Sequence, residues 1–258
     1  MDRGPAVNGV LRAEADKLRT LVSVWITCLA TPLLTVGLAW LSGWSVGRAL
    51  ENDPGMLVRE VVPEQSGFDA IMYGQAGMVV LGVLAVSGEY TGGQLRTSLL
   101  AVPDRPRLLL AKATAVVLAA LPVAAVTVTA AFAATQFGLG EHGYPLADVV
   151  GGPVPGALAG AVLYWVLLAL LAAGLTVVAR NAIVPLTVLI STVLALSFFL
   201  SMLTDAADYL PDRAGVQMFL LGGPNRTDLS ALQGGAVMAA WVVLVWAAAV
   251  WLFRRRDA

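Results

Sequence analysis

The residues able to do chemistry are few. A single cysteine, Cys28, rules out an internal disulfide and any cysteine-based zinc site, and a single histidine, His142, leaves no histidine-ligated metal centre. The only lysines are Lys17, after Asp16, and Lys112, after Ala111. Neither stands in the Gly-Lys-Ser/Thr context of a phosphate loop, whose lysine must reach the terminal phosphates of a nucleotide. A hydrolase acting inside a membrane needs an activated serine and a base close to it, and His142 falls in a loop. No His-Glu-x-x-His occurs either. The chain is therefore expected to be no enzyme, and to bind no metal or cofactor of its own.

The elements that would have to position any site are membrane spans. Hydrophobic residues make up 58% of the 258 residues and charged residues 13%, about half the charged share of a soluble domain. Spanning a bilayer takes about 20 mostly apolar residues as a helix. Six such stretches occur, Leu21–Leu41, Ala70–Val86, Ala113–Phe137, Gly156–Ala179, Ile183–Leu203 and Ala236–Phe253, with no Asp, Glu, Lys or Arg inside any of them. The fold expected is all-α and polytopic: a leader over 1–20, a six-helix domain over 21–253 and a basic tail over 254–258. The charged segment before Leu21 is too long for the n-region of an ordinary signal peptide and the run after it is long enough to span, so the first span is expected to be retained. The fourth and fifth spans are joined only by Arg180, Asn181 and Ala182, a hairpin turn. Pro32, Pro122 and Pro185 fall in or at the start of spans, where they kink helices. Secondary carriers keep ionisable groups in their spans; their absence here favours an external energy source, although sodium coupling through hydroxyls and carbonyls stays open.

Loop charge predicts orientation. Arg3, Arg12, Lys17, Arg19, Arg96, Arg105, Arg107, Lys112, Arg180, Arg254, Arg255 and Arg256 fall on one side, against Arg48, Arg59, Arg213 and Arg226 on the other. Both termini are thus expected in the cytoplasm. The net charge of −1 gives no field toward nucleic acid. In the leader, Leu11, Ala15, Leu18 and Val22 recur at helical spacing while Arg12, Asp16 and Arg19 share another face, which predicts an amphipathic helix on the inner leaflet surface. Gly156 and Gly160 have the small-xxx-small spacing of close helix contacts. The partly apolar run Val216–Leu221 predicts a helix dipping back toward the membrane.

The stretch Ser87–Lys112 is the most informative. Glu89 and Tyr90 end the second span, Gly92 and Gly93 permit a sharp turn, and Gln94–Leu100 reads as a short helix with Leu95, Leu99 and Leu100 apolar and Arg96 charged. Pro103 and Pro106 end it, and Arg105, Arg107 and Lys112 lead into the third span. Those leucines can lie on the membrane face of the same chain or enter a groove on a soluble partner.

Together with the leader, this loop resembles the permease subunits of type-2 ATP-binding-cassette exporters, and is similar to the stand-alone six-span permeases abundant in actinobacteria. The resemblance is carried by Lys17-Leu18-Arg19 before the first span, by Glu89, Tyr90, Gly93 and Gln94 after the second (Gln94 where the family usually has Thr), and by Pro103, Arg105 and Lys112 before the third. It implies a separate ATPase subunit that binds ATP and Mg and pushes on the leader and on the Glu89–Leu100 loop. Two permease copies, or this chain with a related one, would alternate between inward- and outward-facing states in a bacterial plasma membrane. It further implies a path between spans two and five, here offering Tyr73, Gln75, Met78, Thr187, Ser191, Phe198 and Ser201. Ser and Thr can instead bond their own helix backbone. The function expected is efflux of a hydrophobic or amphipathic compound such as a drug, natural product, peptide or lipid; a non-transporting scaffold or sensor subunit is the alternative of a different class.

Overall fold

The computed structural model describes residues 7–52, 61–90, 104–145, 151–222 and 227–255, together with Leu100 and Val149. Its helices are α1 (Val7–Thr20), α2 (Val22–Asn52), α3 (Pro63–Asp69), α4 (Ile71–Ser87), α5 (Arg105–Leu139), α6 (Val154–Ala179), α7 (Ile183–Ser201), α8 (Pro211–Val216) and α9 (Ala231–Arg255). Six of the helical segments are long and apolar enough to cross a bilayer: α2, the α3–α4 segment Pro63–Tyr90, α5, α6, α7 and α9. The chain is an all-α, multi-pass membrane protein.

Several helices outrun the apolar stretches that announced them. α5 begins at Arg105, about two turns before Ala113. Asp104 is extended and its carboxylate accepts the Arg107 amide, while Pro106 sits in the first turn, where a missing N–H costs little. Arg105, Arg107 and Lys112 are therefore helical residues. α2 runs on to Asn52 because its second half packs tightly on α5. At their crossing a side chain on Gly43 would collide with the Thr135 carbonyl, and one on Gly138 would approach the Trp40 and Trp44 backbone to within 2.7 Å. The string Gly43-Trp44-Ser45-Val46-Gly47 has the spacing of a nucleophile elbow, but it lies in unbroken helix and its glycines serve packing rather than a strand-to-helix turn.

α6 is the central helix. It packs on α4, α5 and α9, and 67% of its apolar stretch is buried, against 22% for α2 and for α9. Those outer helices present Trp25, Leu29, Leu33, Val243 and Leu244 outward, which suits lipid or another chain. Tyr164 and Trp165 of α6 are wholly buried, so Trp165 is a core residue and no part of an interfacial belt. The hairpin to α7 is made by Arg180 in the left-handed region (φ 55°), its amide donating to the Thr176 carbonyl, and by the Asn181 side chain, which accepts the Val184 amide. Pro185 then falls in the first turn of α7. Midway, Thr192–Leu196 widens into a π turn.

At the end of the bundle where α4 begins, short segments are packed in rather than left as solvated loops. Phe68 of α3, Phe132 of α5, Tyr164 of α6 and Phe219 after α8 form a chain of ring contacts with centroids 5.3 to 6.0 Å apart. Of the small pair Gly156 and Gly160, only Gly160 makes a close approach, to the Met218 backbone within the same chain. The run Val216–Leu221, expected as a returning helix, instead follows one: α8 ends at Val216, residues 217–219 form turns, and α8 packs on α6 and α9.

Gly82 of α4 faces the Ala169 carbonyl of α6 with no room for a β-carbon. Gly82→Val and Gly43→Val are each expected to cost ~1–3 kcal/mol by overpacking, lowering the thermal midpoint in detergent by several degrees. Gly37→Ala, which adds a methyl to open space, should not lower it.

Candidate functional site

In α1 the buried line is Val10, Glu14 and Leu18, one residue per turn on the face that packs on α5. The apolar face expected from Leu11, Ala15, Leu18 and Val22 is thus rotated: Leu11 and Ala15 are half-buried, and Val22, beyond the break at Leu21, belongs to α2 and is exposed. The stripe is largely used against the protein itself, with a carboxylate at its centre.

That carboxylate is held by both lysines of the chain. Lys112 Nζ lies 2.8 Å from Glu14 Oε2 and 2.5 Å from Glu89 Oε1. Lys17 Nζ lies 2.7 Å from Glu14 Oε1 and 2.8 Å from Glu89 Oε1. Each ammonium bridges both glutamates, so two positive and two negative charges close into a neutral ring. Glu14, Glu89 and Lys112 are almost wholly buried; the Lys17 side chain is 42% exposed. Buried ions persist only when paired, and here pairing forces three elements together: the leader helix, the Gly88–Tyr90 turn that ends α4, and the first turns of α5. Burial depresses the Lys17 ammonium, but hydrogen bonds and proximity to Glu14 and Glu89 outweigh it and raise its pKa above the ordinary 10.5. The contribution of Lys17 to stability is therefore complete below that value and lost as pH climbs through the raised one.

Arg105 ties this end further. Its guanidinium donates to the Phe253 carbonyl at 2.5 Å and sits 5.9 Å from the Phe253 ring, joining the start of α5 to the last turn of α9. Tyr90 is half-buried against the core, Leu18 is buried, and Arg19 is exposed beside Asp16. Gly93, Gln94, Leu95, Arg96 and Leu99, and with them the expected short helix, lie outside the described residues, as does Pro103. The structure thus joins Lys17, Glu89 and Lys112, which the sequence places in separate segments, and adds Glu14. Its signal was present: an acid three residues before Lys17, in line with Val10 and Leu18.

The expected path residues divide. Tyr73, Gln75 and Phe198 line a groove of about 330 Å³ between the start of α4, the π turn of α7 and α8. Met78 is fully buried in the helix packing and does not line it. Thr187 and Ser191 are exposed on α7, and the Ser201 hydroxyl donates to its own helix at Phe198. Among the described residues no group of three or more His, Cys, Asp or Glu could hold a metal ion.

A family model described as ABC-2 family transporter protein matches residues 10–208, about three quarters of the chain, with all four residues of the ion ring inside the match. Comparison with curated proteins returns no match.

Removing Lys112 leaves two buried carboxylates with only the half-exposed Lys17 between them. Lys112→Met is expected to cost ~3–5 kcal/mol, and Lys17→Met no more than ~1 kcal/mol because water screens it. Thermal midpoints in detergent should fall in that order, and Glu14→Gln added to Lys112→Met should cost less than the two single changes together.

Proposed function

The chain belongs to the ABC-2 family of transporter proteins, and on that premise we propose that it is the transmembrane permease subunit of an ATP-binding-cassette exporter. It moves a hydrophobic or amphipathic compound outward, and a separate subunit binds and hydrolyses ATP with Mg. No phosphate loop exists in the sequence to supply that energy here.

The observation that carries this reading is the ion ring. An ATPase seated at the lysine end and moving on nucleotide binding needs a rigid handle on the spans. α1 and the turn at Glu89 supply it, because the ring joins them to the start of α5 in a neutral, largely water-free contact. Displacing α1 without α4 and α5 would separate buried charges, so the three move as one piece or not at all. A push is transmitted along α4 to the groove at its far end. Alternation between two states then follows from the ATPase favouring one of them when ATP is bound.

The weak burial of α2 and α7 leaves apolar faces for a second permease, identical or related. The excess of Lys and Arg at the lysine end supports a reading in which that end, with both termini, faces the cytoplasm and α1 lies beside the inner leaflet. Efflux, including drug resistance, is the physiological role this supports.

Lys17→Met tests the coupling. In inside-out vesicles holding this chain and its ATPase, ATP-driven uptake of an amphipathic dye should fall at least tenfold, while the thermal midpoint shifts by only a few degrees and the ATPase stays bound. Full transport by that variant, or transport by the purified chain without any ATPase, would overturn the reading.

A further inference from the structure

The groove at the far end of α4 has a polar floor. Gln75, Ser197 and Asp212 line it, and each is more than nine-tenths buried. The Tyr164 hydroxyl donates to Gln75 Oε1, and the Gln75 amide donates to the Val193 carbonyl inside the π turn at 3.2 Å. The Ser197 hydroxyl donates to Asp212 Oδ1 at 2.7 Å. π turns and polar groups buried along spans are costly and concentrate at functional sites. Tyr73 and Phe198, 65% and 50% exposed, stand on the rim.

Charge decides what would fit. Among the described lining residues the acids Asp69 and Asp212 outnumber the cation Arg213, and Arg213 Nη2 is already engaged by Asp208 at 3.0 Å. The groove is therefore electronegative, with aromatic faces at its entrance. Such faces attract cations, quaternary ammonium groups above all. Burial pushes the Asp212 carboxyl above its ordinary pKa, against the Ser197 hydroxyl, backbone amides and Arg213, which favour its charged form; a cation in the groove would compensate that carboxylate.

We propose that this groove binds the cationic head of an amphipathic molecule, held by Asp212 and Asp69 between Tyr73 and Phe198, with the apolar tail leaving along the exposed face of α7. The proposal rests on the exporter reading and names its substrate class. It adds Asp69, Ser197 and Asp212 to the groove.

The test uses the full chain in nanodiscs of zwitterionic phosphatidylcholine, without ATPase, and octyltrimethylammonium as probe, with octanesulfonate as its anionic counterpart. Binding is read by equilibrium dialysis against empty nanodiscs. The cation should bind saturably and at least tenfold more tightly than the anion. Asp212→Asn should weaken cation binding about tenfold, and Asp69→Asn, at an exposed position, several-fold. Asp104→Asn, at the other end, should leave it unchanged. Equal binding of the two probes, or cation binding indifferent to both groove changes, would overturn the proposal. The two readings fail separately: if the exporter reading is wrong, cation binding in the ATPase-free nanodisc persists; if the charge reading is wrong, Lys17→Met still uncouples ATP from transport.

Discussion

A charge removed from water must be neutralised where it lies, and at the end of the bundle that holds both lysines this chain meets that constraint by mutual pairing. Its two lysines and two of its glutamates form a closed ring at the end of the bundle. The ring is an expensive way to hold helices together, since well-packed apolar residues would often stabilise as much. What ions provide instead is specificity of registration. Only one placement of α1 puts Glu14 between Lys17 and Lys112, and only one end-point of α4 delivers Glu89 to both. The leader, apolar enough to lie elsewhere, is thereby fixed to the bundle.

The remaining contacts are those of a membrane protein that packs by close approach. α2 crosses α5 at Gly43 and Gly138, and α4 crosses α6 at Gly82, where backbones meet with no intervening side chain. Lipid offers apolar side chains no reason to prefer protein neighbours, so small residues that let helices touch do much of the association. α6 sits at the centre and carries the two largest fully buried side chains, Trp165 and Tyr164. α4 is the helix both ends share: its last turn leads into the ion ring, and its first turns hold Tyr73 and Gln75 at the groove. A displacement imposed at Glu89 has a direct, stiff route to the floor of that groove.

The groove end is built differently. α3, α8 and the turn after α8 are folded back onto the bundle by tilted ring contacts and by side-chain amides: Gln65 accepts the Leu221 amide, and Gln136 both donates to the Pro63 carbonyl and accepts the Tyr144 amide. Neutral amides serve there where ions serve at the lysine end. The charge described in the groove is acidic and sits against Arg213, Ser197 and the Tyr73 and Phe198 rings.

Composition and apolar run lengths, read in sequence, were enough to establish six helices and their order, because the bilayer demands a run of fixed length and every helix satisfies its own backbone. One hairpin was legible too: Arg180-Asn181 turns the chain where two apolar runs nearly touch. The importance of Lys17, Glu89 and Lys112 was visible only through resemblance, and Glu14 was not singled out in the leader, which read as an amphipathic helix on the inner leaflet. Periodicity placed the apolar face of α1 a fraction of a turn away from the face that is buried, because it counts apolar residues and cannot know that a carboxylate will find two ammonium groups. The same holds for the groove, whose floor draws on residues 75, 197 and 212. Apolar burial depends on amount and period, which a sequence displays. The pairing of charges and the convergence of polar groups depend on distances between segments remote along the chain, and those exist only once the helices have packed.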